Sequence, residues 1–168
     1  MTLRLKEPAN VLFRIKRGLA GYVSYLAACE MNPIFTEYLL YEPILRILAG
    51  REYLVECEYE CPGIEQPKKG DKKRIDFVAR KGDVHFALEV KWAKAKRVIV
   101  SRDLKKLQAF QNEFPEAKSF LCIFGRKRHI ENLRHLDEDF WERGEMVTAD
   151  FKKTRFSCRV FQMRSWLD

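Results

Sequence analysis

Three side chains near the middle of the sequence could do chemistry together: Asp76, Glu89 and Lys91. Residues 84–92 alternate strictly, so His85, Ala87, Glu89 and Lys91 point to one face of a strand and Val84, Phe86, Leu88 and Val90 to the other. Asp76 lies in a preceding strand, with Ile75 and Phe77 facing opposite to it. A hairpin turning at Lys81-Gly82-Asp83 brings Asp76 close to Glu89. Two carboxylates held that close repel, and one must stay protonated unless something neutralises them. A divalent cation does so, and magnesium is usually held by one or two carboxylates, several waters and phosphate oxygens. Such an ion turns water into a nucleophile near neutral pH. Lys91 can stabilise charge on that nucleophile or on a pentacovalent phosphate. The group is complete for phosphodiester hydrolysis. The plainer alternative is a cross-strand ion pair on an exposed face.

The elements that must position this group can be read along the chain. Asn10 caps a helix over 10–30, in which Val11, Ile15, Leu19, Tyr22 and Leu26 recur at helical spacing. Asn32-Pro33 breaks it. A second helical pattern spans about 34–49, with Ile34, Tyr38, Tyr41, Leu45 and Leu48 as one stripe. Pro43 must kink or restart this helix, and Gly50 ends it. Residues 53–61 alternate as a half-buried strand, followed by a polar loop from Pro62 to Lys73. Arg74–Arg80 and Val84–Trp92 are the two arms of the hairpin. Ser101 or Asp103 caps a helix running to about Phe114, and Phe120–Phe124 fits a strand buried on both faces. A charged amphipathic helix is expected over about 128–142, and one or two strands over 146–167. This order predicts an α/β sandwich around a mixed sheet.

A chain of 168 residues, 46% apolar and 33% charged, can bury a real core and is neither disordered nor collagen-like. One domain is expected. No apolar run approaches the ~18 residues of a membrane span, and the N-terminus lacks the apolar stretch of a signal peptide. The expectation is a soluble, cytoplasmic protein without a membrane partner. The five cysteines, Cys29, Cys57, Cys61, Cys122 and Cys158, lack paired C-x-x-C spacing and read as buried reduced thiols. No phosphate-binding glycine loop is present, and the histidines lack metal spacing, though His85 could border the site.

The net charge of +8 is uneven. Residues 67–128 carry 18 basic and 7 acidic side chains, a balance of +11, whereas 1–66 and 129–168 stand at −2 and −1. Lys68, Lys69, Lys72, Lys73 and Arg74 precede the carboxylate pair, and Lys94, Lys96, Arg97 and Arg102 follow it. A negative cluster framed by positive loops suits an enzyme acting on a phosphate backbone, because such loops neutralise phosphates without reading sequence. A solvated basic surface is the plainer reading. Trp92 could stack on an unpaired base, but packing in the core is the commoner fate of such a residue.

Arg74-Ile75-Asp76-Phe77-Val78, with twelve residues separating Asp76 from Glu89-Val90-Lys91, resembles the PD-(D/E)XK nuclease motif. Ile75 stands where that family has Pro. The setting is similar to the restriction-endonuclease-like core: an acidic residue in a preceding helix, a hairpin, a helix and a strand, together covering 34–125. The resemblance implies a three-layer sandwich with a helical extension at 1–33 and a C-terminal helix and strands at 126–168. It implies a nuclease dependent on magnesium or manganese, acting on DNA rather than RNA. Asp76 and Glu89 would ligate the metal, helped by the Val90 carbonyl, and Lys91 would position the attacking water. A glutamate of the second helix would complete the shell, and Glu37 and Glu42 compete for that place. With Glu37 at zero on a wheel of 100° per residue, Ile34, Tyr41, Leu45 and Leu48 fall at about +20° to +80° and Glu42 at about 140°. Glu37 thus shares the apolar stripe, where a carboxylate needs compensation. Two rival functions remain: a non-catalytic nucleic-acid-binding module, or an assembly subunit such as a homodimer joined through the apolar part of helix 10–30.

Overall fold

The computed structural model describes residues 6–31, 36–151 and 154–164. The first helix, α1 (Ala9–Ala28), buries Val11, Ile15, Leu19, Val23 and Leu26 along one stripe. Its cap is Pro8 rather than Asn10. The Glu7 carboxylate accepts the Val11 N–H (3.2 Å), one of the first-turn donors that lack a partner in the helix. Asn10 lies inside the first turn and accepts a hydrogen bond from Arg14.

The expected helix over 34–49 is a composite. Ile34 and the Asn32-Pro33 break lie outside the described residues. Glu37–Leu40 forms a 3-10 turn that feeds directly into α2 (Tyr41–Ala49). The α-helix restarts at Tyr41, and Pro43 is its third residue, where the backbone N–H is surplus. Gly50 follows α2 with φ −65, and the left-handed residue that turns the chain toward the sheet is Glu52 (φ 63).

Seven strands among the described residues form one mixed sheet: β1 (Leu54–Glu60), β2 (Arg74–Lys81), β3 (Val84–Ala93), β4 (Lys118–Arg126), β5 (Phe140–Glu142), β6 (Val147–Phe151) and β7 (Thr154–Met163). The order is β1-β2-β3-β4-β7-β5, with β6 also on β7. Lys81 pairs with Val84, so the hairpin turns on Gly82-Asp83, and Gly82 takes φ 53 as a two-residue turn requires. β3 and β4 are parallel and are joined by α3 (Ser101–Glu113). The cap of α3 is Val100, which leaves Ser101 and Asp103 in the first turn. Residues 119–125 of β4 are buried throughout, as a central strand covered on both faces must be.

Helices α1 and α2 pack on one face with Phe77, Phe86, Leu88, Val90, Phe120 and Phe124. On the other face α3 and the segment after β4 enclose Ile75, Ala87, Leu107, Phe110, Leu121 and Ile123. The fold is therefore mixed α/β, with helices on both sides of the sheet. No helix among the described residues is long and apolar enough to cross a membrane.

The helix expected over 128–142 does not form. Its place is taken by a single turn, α4 (Lys127–Ile130), a 3-10 turn at Arg134–Leu136 and strand β5. Ile130, Leu133, Leu136 and Phe140 all reach the core, which explains the helix-like spacing. The Ile130 carbonyl, which a continuing helix would give to the N–H of residue 134, accepts Arg159 Nη1 (2.8 Å) instead. His129 and His135 bond the carbonyls of Ala93 and Val98, tying the segment to the loop after β3. Cys61, Cys122 and Cys158 are buried, but Cys29 and Cys57 are exposed, against the expectation of buried thiols. Cys57 is exposed because it lies on β1, at the sheet edge.

Candidate active site

The β2–β3 ladder runs in register from Lys81↔Val84 to Phe77↔Leu88 and then stops. Continued by one residue, that register sets Asp76 opposite Glu89. Backbone pairing is replaced there by a side chain: the Asp76 carboxylate accepts the Val90 N–H through Oδ2 (2.7 Å). The other oxygen, Oδ1, accepts the Tyr41 hydroxyl (2.6 Å). The strict alternation expected around Asp76, with Ile75 and Phe77 on one face, breaks here. Ile75 belongs to the α3 side of the core and Phe77 to the α1–α2 side.

Tyr41 reaches a second carboxylate, Glu58 Oε1, at 2.8 Å. One phenol proton therefore lies between two acceptors, and burial, with the charge of Asp76, pushes the phenol pKa far up, so the proton stays. Glu58 sits on β1 with φ 52, a left-handed conformation that costs a non-glycine residue free energy. Glu58 also faces Arg74 at 3.7 Å.

Glu89 is 2% exposed. Burial, then the nearby charge of Asp76, pushes its carboxyl well above the ordinary range. Its partner is Lys106 of α3, whose Nζ lies 2.6 Å from Oε1 and 2.7 Å from Oε2. The hydrogen bond goes to Oε2, so Oε1 is buried with a charge beside it but no directed hydrogen bond. Burial works against the Lys106 ammonium, yet Glu89 outweighs it and holds the lysine pKa above its usual value. Asp76 is likewise raised, chiefly by burial, which the Tyr41 and Val90 hydrogen bonds oppose and Glu37 reinforces.

Lys91 shares the Glu89 strand, but its Nζ contacts Asp103 of α3 (3.0 Å). Asp103 is buried and also faces Lys106 at 3.8 Å. The sequence reading missed Tyr41, Glu58, Asp103 and Lys106. A signal existed for α3: Asp103 and Lys106 share a face with the buried Leu107 and Phe110. Charges at helical spacing on an apolar stripe require partners.

Glu37 and Glu42 separate clearly. Glu37 accepts the Trp92 N–H (3.0 Å), and its charge acts on Asp76. Glu42, with its side chain 61% exposed, pairs with Arg46 one turn on. Glu37 opens a 3-10 turn rather than lying in an α-helix, so 100° spacing does not set its direction, and its carboxylate is held by the Trp92 backbone N–H. Trp92 stacks on Phe124 (6.3 Å, 14°) within the core layer. His85 packs on Phe110 and Phe114, away from the carboxylates.

A cleft of about 1300 Å³ opens over this group. Asp76 and Lys91 line it, with Lys72, Lys73, Arg74, Arg102 and Lys105 around them. Lys68 and Lys69 are exposed on the same loop as Lys72, and Lys94, Lys96 and Arg97 are exposed on the loop after β3. Neither set lines the cleft itself. Lys94 lies over the Trp92 ring at 5.2 Å.

Among the described residues, no three His, Cys, Asp or Glu side chains gather closely enough to hold a metal ion. Two carboxylates lie near each other, both with raised pKa, and each is already engaged, Asp76 by the Tyr41 hydroxyl and the Val90 N–H and Glu89 by the Lys106 ammonium. A hard cation such as magnesium needs only one or two carboxylates when water and phosphate oxygens complete its shell. The donor set fits that chemistry. No family model, curated protein or solved structure matches the chain.

Proposed function

We propose that the protein is a metal-dependent nuclease of the PD-(D/E)XK type on a restriction-endonuclease-like core, cleaving phosphodiester bonds in DNA. One observation carries this reading: Asp76 lines a cleft walled by lysine and arginine just past the end of the β2–β3 ladder, and the buried Glu89 lies near enough behind it to feel its charge. The succession of hairpin, α3 and parallel β4 supports the core. So does Lys91, two residues beyond Glu89 on the same strand and lining the same cleft.

In this reading Asp76 and Glu89 would hold magnesium or manganese, helped by the Val90 carbonyl, and Glu37, which accepts the Trp92 N–H, would add its negative charge from the 3-10 turn. The ion supplies Lewis acidity toward phosphate and acidifies water. The chain does the rest. Tyr41 and the Val90 N–H fix the Asp76 carboxylate, and Lys106 neutralises Glu89. Lys91, held by Asp103, presents an ammonium to the charge that develops on the phosphate. Lys72, Lys73 and Arg74 neutralise backbone phosphates and set register.

The test is cleavage of duplex, nicked, branched and single-stranded DNA with magnesium or manganese. Asp76→Ala, Glu89→Ala and Lys91→Ala should each abolish cleavage and leave most DNA binding intact. Cleavage that persists in the Asp76 and Glu89 variants, or that survives a chelator, refutes the reading. DNA binding without cleavage by any form of the protein favours a binding module.

A further inference from the structure

We propose that Tyr38 is a stacking platform for an unpaired nucleobase, which makes the preferred substrate a nucleic-acid strand with at least one unstacked nucleotide at the cleft. This deepens the nuclease reading and rests on it.

Tyr38 is 71% exposed, and it alone among the large exposed apolar side chains of the described residues lines the cleft. Phe13, Tyr25, Met31, Leu54 and Ile99 lie elsewhere. Trp92, the aromatic that the sequence offers for such a role, is engaged with Phe124 and Lys94.

The Tyr38 ring is also held in place. Its turn is anchored on one side by Glu37, whose carboxylate takes the Trp92 N–H (3.0 Å). On the other side Tyr41 is fixed to Asp76 and Glu58. Tyr38 leans on Tyr41 with ring centroids 5.3 Å apart and planes 53° apart, and Tyr41 leans on Phe77 at 4.7 Å. A chain of rings thus runs from the core to the cleft and leaves most of the outermost ring in water. A ring already ordered loses little entropy when a base lands on it.

The wall of the cleft contributed by Lys72, Lys73 and Arg74 is basic, and Tyr38 lines the same space. Phosphates and a base can therefore be held together, the combination that single strands use. Within a duplex the bases cover one another, and offering a face to Tyr38 requires unstacking that costs free energy. A strand, flap, gap or frayed end has already met that cost.

The probes are a short single strand carrying 2-aminopurine and the matching blunt duplex, titrated without divalent metal. Binding of the strand to the wild type should quench the fluorophore through stacking. Tyr38→Ala should weaken strand binding about tenfold, the scale of one base–aromatic stack, and remove the quench. Tyr38→Trp should retain both, and duplex affinity should stay within twofold in each variant. The high exposure of Tyr38 leaves the fold unaffected, which equal melting temperatures confirm. Equal loss on strand and duplex, or no loss on either, overturns the platform while the nuclease reading stands. If the wild type binds neither probe, the nuclease reading fails and the platform fails with it.

Discussion

Removing one oxygen atom, in Tyr41→Phe, tests the electrostatic arrangement of the site. The ring contacts to Phe77 and Tyr38 survive the change, so packing is constant. What is lost is the proton between Asp76 Oδ1 (2.6 Å) and Glu58 Oε1 (2.8 Å). A hydrogen bond to a charged group contributes about 1.5–3 kcal/mol, and a single proton serves both acceptors, so a loss of about 2 kcal/mol is expected. For a chain of this length that lowers Tm by about 4–8 °C. The loss should depend on pH. The folded pKa of Asp76 is raised above the ordinary 3.8, with the Tyr41 bond among the effects opposing the rise. A carboxyl with a raised folded pKa loses stability as pH climbs from its unfolded value through its folded one. Without Tyr41 the folded pKa rises further, so the loss is deeper and extends to higher pH. Urea unfolding of both proteins should therefore show a small difference below the ordinary Asp value and the full difference near neutrality. Equal stability at pH 7, or an identical loss at acid and neutral pH, would mean that the Tyr41 hydroxyl does not stabilise the Asp76 carboxylate.

Three other outcomes are expected. Glu52→Gly should stabilise the protein by roughly 0.5–1 kcal/mol in urea unfolding, because Glu52 sits at φ 63 and its exposed ion pair with Lys81 contributes little. Gly125→Ala should destabilise by about 1–3 kcal/mol, seen as a lower Tm, because the new Cβ meets the Ala93 carbonyl oxygen at 2.8 Å in the β3–β4 ladder. Neutralising Lys68, Lys69, Lys72 and Lys73 together should flatten the salt dependence of DNA affinity by about 0.9 per lost phosphate contact; an unchanged slope places the DNA path elsewhere.

The hairpin was legible because period-two alternation and a glycine turn act within a few residues. Gly82 and the Val84–Trp92 pattern together predict the register from Lys81↔Val84 to Phe77↔Leu88, which leads the next residues, Asp76 and Glu89, toward each other. The end of that ladder was not legible, since nothing local to Asp76 reveals that its side chain will take the Val90 N–H. Tyr41 illustrates a related limit. It belongs to an apolar stripe by spacing, and only the packing of α2 against the sheet brings its hydroxyl between two carboxylates. The segment 128–142 misled for the opposite reason. Its apolar spacing is real, but Arg159, far along the chain, takes the carbonyl a helix would have used. Lys106 was hidden among eighteen basic side chains of a segment read as a surface, until α3 placed it against Glu89.

If the Asp76–Glu89 pair is a cation site, divalent metal must bind there in the absence of nucleic acid. Manganese should be titrated calorimetrically into the wild type, Asp76→Asn and Glu89→Gln. One saturable site is expected in the wild type, lost in both variants while their folds persist by circular dichroism. Absence of binding in the wild type, or binding unchanged in both variants, would contradict it.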